Sequence, residues 1–186
     1  MNPVTLAQLS INPLQSGCWW VTAPHGDMIA EWVDVLAEEA KAHWPGRVAV
    51  LDGAATLISN LRVWENLILP VWWRDNLPIA ALEESVAAAF DLAQVAQKQR
   101  EKLAVCLPAA LDRADRRFVM LLRSVLIEPE CVIIEEDCWH DLVARSQESP
   151  HAKLFSRLKA VTCLIVVGSM PALAGFFQTD IVERVE

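Results

Sequence analysis

Apolar residues without polar alternation recur in short blocks at 18–22, 131–134 and 162–167. Each block predicts a strand covered on both faces, as in a parallel sheet. A further strand is expected at 47–51, and a shorter one at 6–11 ahead of the Asn12-Pro13 turn signal. Between these blocks the period changes. Ile29, Trp32, Val33, Leu36 and Ala40 recur at helical spacing and predict a helix over 29–43. An Ala-rich stripe predicts another over 78–97, a third ends near Glu128-Pro129, and a fourth covers 152–159. A turn at 138–141 is expected to open one more helix. The apolar stretch 161–177, broken by Gly168-Ser169-Met170-Pro171, reads as strand, turn and then helix. Strands alternating with helices predict an α/β fold, and 186 residues suit one domain with a substantial core.

Composition narrows the class. The apolar fraction is 54% and mean hydropathy is +0.28, yet no uninterrupted apolar run reaches the ~18 residues of a membrane span. A net charge of −8 argues against nucleic acid as partner. The five cysteines are scattered, with no C-x-x-C and no secretory start, which suggests reduced thiols in the cytoplasm. Eight tryptophans stand beside no tyrosine. Most are expected in the core, with some covering a partner surface.

The block at 131–134 runs into two adjacent carboxylates, Glu135 and Glu136. Acids at the C-terminal end of a buried strand lie where open α/β sheets place their ligands. In a P-loop NTPase that position holds the Mg²⁺-binding Walker B acid. The stretch from Arg123 to Asp137 resembles the Walker B segment of ABC-transporter ATPases, in which R-A-x-x-x-x-P precedes four apolar residues and Asp-Glu-Pro. The family's Asp, catalytic Glu and Pro fall on Glu135, Glu136 and Asp137.

The same resemblance places the phosphate-binding Walker A loop at 23–31. Against G-P-x-G-x-G-K-[ST]-[ST] the chain reads A-P-H-G-D-M-I-A-E. Pro24, His25 and Gly26 occupy matching positions. The third glycine is Met28, the lysine is Ile29, and the hydroxyl positions are Ala30 and Glu31. Each change has a physical meaning. A methionine fills space the backbone needs to approach a phosphate. The lysine's charge-assisted contact, worth roughly 1.5–3 kcal/mol, is lost. No hydroxyl remains for Mg²⁺. Asp27 and Glu31 add negative charge beside a polyanion site, against a helix-terminus attraction of only about 0.3–1 kcal/mol.

Further on, 63–70 is similar to the family's [TS]-V-x-[ED]-N-[VI]-x-x-P, with Val63, Glu65, Asn66 and Pro70 on the pattern. The Q-loop glutamine falls on Asp52 or Gly53. The antiparallel segment that normally precedes it is largely missing. In the family this region borders the groove for the membrane subunit, so Trp64, Glu65, Asn66, Trp72 and Trp73 are candidate docking residues. A satellite core is the alternative reading of that tryptophan cluster. The signature Ser-Gly-Gly falls on Asp112, Arg113 and Ala114, where Asp112 suits a helix N-cap with Asp115 three residues on. The family's Ser-His-Asp falls on Val167, Gly168 and Ser169. Cys138 and His140 lack metal-ligand spacing, and no metal site is assigned.

The resemblance implies a P-loop NTPase-like α/β fold: a mostly parallel sheet flanked by helices, with a small helical subdomain at about 75–115, a truncated ABC ATPase. The V-W-E-N run at 63–66 and the Glu128-Pro129 stretch resemble the Mce/Mla lipid-transport type. Because both Walker A and signature are altered, pairing with an intact ATPase would leave both composite sites defective. The expected function is therefore a non-catalytic, pseudo-ATPase subunit with no cofactor. It would be cytoplasmic and peripheral at the inner face of the membrane, partnered by an ABC permease, an intact ATPase subunit or a second copy. The alternative is a subunit that binds and hydrolyses ATP with Mg²⁺ at an atypical site. A third reading is a small-molecule binder lined by His25, Trp32 and Glu136.

Overall fold

The computed structural model describes residues 5–7, 9, 11, 17–54, 56–161, 163–171 and 174–180. Five strands form one parallel sheet: β1 (Gly17–Thr22), β2 (Val48–Leu51), β3 (Cys131–Glu135), β4 (Cys163–Gly168) and β5 (Phe177–Asp180). Their order across the sheet is β2-β3-β4-β1-β5. The expected blocks at 18–22, 47–51, 131–134 and 162–167 thus all become strands. Every residue of β4, and every residue of β3 up to Ile134, is buried, as unalternating apolar blocks require.

Two compact units divide the described chain. The sheet unit comprises residues 1–53, 129–143 and 159–186. Helix α1 (Ile29–His43) packs on the sheet through Trp32, Val33, Leu36, Ala37 and Ala40, in one apolar cluster with Trp19, Val21, Ile133, Ile165 and Val167. Successive strand residues face opposite ways, so Trp20 faces away from that cluster. Its indole lies near His140 of α6 (Glu136–Val143) and edge-on to Phe176. Helix α1 passes to β2 through residues 44–47 alone, with Gly46 at φ 70° making the turn.

The helical unit comprises residues 54–128 and 144–158. It contains α2 (Val63–Asp75), α3 (Ile79–Leu92), α4 (Gln97–Val105), α5 (Arg113–Leu126) and α7 (Pro150–Leu158). Helix α5 is its centre and packs against α2, α3 and α7. Phe118, Val119, Leu121 and Leu122 bury its apolar stripe.

Four expectations are corrected. The strand expected at 6–11 is a turn among its described residues: Leu9 N donates to Leu6 O (3.2 Å) and Ile11 N to Leu6 O (2.9 Å). Positions 8 and 10 lie outside the described residues. The turn expected at 138–141 lies inside α6, which starts at Glu136 directly after β3. The helix expected after 168–171 is replaced by a turn at 174–175 and strand β5, parallel to β1. Phe and Thr there favour a pleated strand, and Gly175 at φ 94° turns the chain into it. Helix 78–97 also ends earlier, at Leu92, and the polar helix formers of 97–105 build a separate α4. Among the described residues no helix is long and apolar enough to cross a membrane.

Candidate functional site

With all strands parallel, their C-terminal ends share one edge of the sheet. The connection leaving β1 runs past β4 and β3 to β2, whereas the connection leaving β4 passes β1 to reach β5. Adjacent strands β1 and β4 are therefore left in opposite directions, and the crevice outside their ends is a topological switch point. Three segments meet there: the 23–28 loop after β1, the 168–171 loop after β4, and the acid pair ending β3.

The acid pair is already engaged. A Glu135 carboxylate oxygen accepts from the backbone N–H of Gly53, just beyond β2. Glu136 is buried (7% exposed), and its Oε2 accepts from Ser169 N at 2.8 Å and from Ser169 Oγ at 3.3 Å. Its Oε1 has no hydrogen-bond partner among the described residues, and His140 Nε2, one helical turn on, lies 3.6 Å away. Gly168 makes the approach possible, because a Cβ there would sit 2.8 Å from Glu136 Cδ. The 168–171 loop is fastened twice more: Ala23 N donates to Gly168 O (2.7 Å) and Trp20 Nε1 to Met170 O (2.8 Å).

The 23–28 loop closes as one 3-10 turn, Gly26–Met28, leading straight into α1. Met28 N donates to His25 O (3.1 Å) and Ile29 N to Gly26 O. Met28 and Ile29 are half-buried against the α1 cluster, while His25, Gly26, Asp27, Ala30 and Glu31 are exposed. A Cβ at Gly26 would lie 3.8 Å from Ser169 Oγ, so this loop borders the clamped Ser169. The structure thus brings Gly26, Glu136 and Ser169 together. Trp32, proposed to line a pocket with His25 and Glu136, is instead a core residue of α1, 3% exposed.

The remaining candidates lie in the helical unit. Asp112 caps α5, its Oδ1 accepting from Asp115 N at 2.8 Å, with Arg113 and Ala114 exposed in the first turn. Trp72 and Trp73 are exposed at the end of α2, Trp73 by 83%. Trp64 is half-buried. Two docking candidates are engaged within the chain itself. Asn66 is buried (2% exposed), accepting from Ile58 N (2.7 Å) and donating to the carbonyls of Ile58, Leu61 and Arg62 (3.0–3.1 Å). Every polar atom of its side chain is spent on the 58–62 loop. Glu65 closes a capping box on Arg62 N at 2.7 Å. Among the described residues no group of three or more His, Cys, Asp or Glu side chains is placed to hold a metal ion. The bonds of Glu135 and Glu136 to loop amides were invisible to sequence reasoning. A Gly-Ser pair directly after a buried strand was the one signal pointing to them.

No protein-family model matches the chain, and no curated protein sequence matches it. In three dimensions it is similar to solved transporter cassettes. The ATP-binding cassette MJ0796, in a dimeric post-hydrolysis state bound to ADP and Pi, aligns at a TM-score of 0.61 and 14% identity, over 82% of this chain and 74% of that one. This chain carries the ABC ATPase fold. A second dimeric structure of MJ0796, a bacterial ABC transporter cassette, gives 0.62 at 12% identity over 84% and 76%. The cassette cbiO1 from Clostridium perfringens, part of the transporter complex cbiONQ, gives 0.50 at 12% identity over 81% and 66%. The P-loop NTPase-like α/β architecture expected from the motifs is therefore the one observed.

Proposed function

We propose that this chain is a non-catalytic, pseudo-ATPase subunit, a structural or regulatory partner in an ABC transporter. The observation that carries this reading is the state of the 23–28 loop. A phosphate cradle needs several backbone N–H groups free to converge on one anion. Here the amides of Met28 and Ile29 are bonded inside the 3-10 turn, and the side chain at the lysine position is an isoleucine held against the core. Asp27 and Glu31 place negative charge in the first turns beside it. Mg²⁺ fares no better, since no hydroxyl follows Ile29 and both strand-end acids already accept from backbone amides. The residues present do not fit a magnesium nucleotide.

The partner is an ABC permease or an intact ATPase subunit, with a second copy of this chain as a further arrangement. Trp72 and Trp73 are the residues to meet it, as large apolar side chains exposed near the end of α2. Such a subunit sits in the cytoplasm against the inner face of the membrane. The lipid-transport type rests on the 63–66 and 128–129 runs alone. Calorimetry with ATP, with and without Mg²⁺, tests the emptied site: no heat at millimolar nucleotide is expected, and micromolar affinity refutes it. Copurification tests the partner. An affinity-tagged chain that brings down neither permease nor ATPase from its own cells refutes the subunit reading.

A further inference from the structure

We infer that Glu135 and Glu136 form a two-pronged clamp, in which each carboxylate fixes the loop of a neighbouring strand through its backbone amide. Strand β3 lies between β2 and β4 in the sheet. Glu135 reaches one way, to Gly53 N after β2, and Glu136 the other, to Ser169 N and Oγ after β4. The prongs differ in depth. Glu135 is half-exposed, while Glu136 is buried, and a buried carboxylate is tolerated only when partnered.

The residues around the deeper prong are matched to it. Gly168 leaves room that any Cβ would take, closing to 2.8 Å from Glu136 Cδ and 3.0 Å from Trp20 Cζ2. Ser169 then offers two donors to one carboxylate oxygen, a charge-assisted arrangement. Trp20 Nε1 and Ala23 N hold the same loop from β1. The 168–171 loop at the β1/β4 switch point is thereby held by bonds from Glu136, Trp20 and Ala23. This assignment concerns the acids alone and does not rest on the docking reading.

Residue-resolved amide hydrogen exchange on the full chain tests it. In the wild-type protein the Gly53 and Ser169 amides are expected to be protected by about a hundredfold or more over unstructured rates, although both residues are exposed. Exchange of either at the unprotected rate overturns the clamp. Glu136→Ala should speed Ser169 by about tenfold or more while leaving Gly53 unchanged, and Glu135→Ala should do the reverse. Gly168→Ala, which pushes the Glu136 carboxylate aside, should release Ser169 in the same way. Unchanged Ser169 exchange in a folded Glu136→Ala or Gly168→Ala protein overturns the assignment. Millimolar Mg²⁺ alone is the last arm. Unaltered protection supports the clamp, and faster exchange at both amides would show carboxylates that leave their loops for a cation. The wild-type measurement decides the matter even if a variant does not fold.

Discussion

Asn66 separates structure from docking in the helical unit, and replacing it by alanine measures which role it has. The side chain makes four hydrogen bonds to three residues of the 58–62 loop. The amide nitrogen has two protons for three carbonyls, so about three bonds count fully. At about 1 kcal/mol net for each, and with nothing left to pair Ile58 N, the loss comes to about 3 kcal/mol. For a chain of this size that lowers Tm by roughly 6–12 °C. Trp73→Ala is the control. Its ring is 83% exposed, so truncation should move stability by less than about 0.5 kcal/mol. Thermal denaturation by circular dichroism at 222 nm reads both. If Asn66→Ala melts with the wild type, the four bonds carry no weight and Asn66 returns to the list of contact residues. If Trp73→Ala melts far below it, the ring is packed rather than presented.

Other outcomes follow from the same bonds. Ile29→Lys should give no detectable ATP binding by calorimetry, because the Met28 and Ile29 amides stay inside the 3-10 turn; micromolar affinity would show that the lysine alone was missing. Asp112→Ala removes the α5 cap and should cost about 1 kcal/mol, seen as a lower Tm, while Asp112→Asn should cost a few tenths. Burial pushes the Cys18 thiol up, aided by Cys163. Thiolate is then scarce at pH 7, and Cys18 alkylation followed by mass spectrometry should quicken by about tenfold per pH unit up to its titration. Cys131, buried and hydrogen-bonded to Cys163, should stay unlabelled over the same range.

What could be read from the chain was what depends on neighbours in sequence. The 131–134 run announces a doubly covered strand because burial on both faces removes polar alternation. Helix α1 is visible because one face of it meets the sheet. The turn at 6–11 was misread because Leu6, Leu9 and Ile11 are apolar and buried without forming a ladder. Their spacing serves a compact turn as well as a strand. Strand β5 was missed because its partner β1 lies more than 150 residues away, as Trp19 opposite Phe177 shows. The burial pattern of 64–73 was half legible. Trp72 and Trp73 are exposed, but nothing local tells Asn66 from a surface asparagine. Its partners at 58–62 depend on how the chain enters α2.

The acids show the same limit most sharply. As a sequence, Glu135-Glu136 after four apolar residues points to a metal, because two adjacent carboxylates at a strand end need positive charge or donors. The structure supplies donors instead, from loops 82 and 33 residues away. Glu135 ends β3 and Glu136 opens α6, so the backbone turns between them and the two carboxylates part company, each taking an amide of its own. That separation gives Glu136 Oε2 two donors from Ser169, while its Oε1 has no hydrogen bond among the described residues and lies 3.6 Å from His140 Nε2. On the non-catalytic reading proposed above, the sheet order offers a way to hold both acids without a nucleotide.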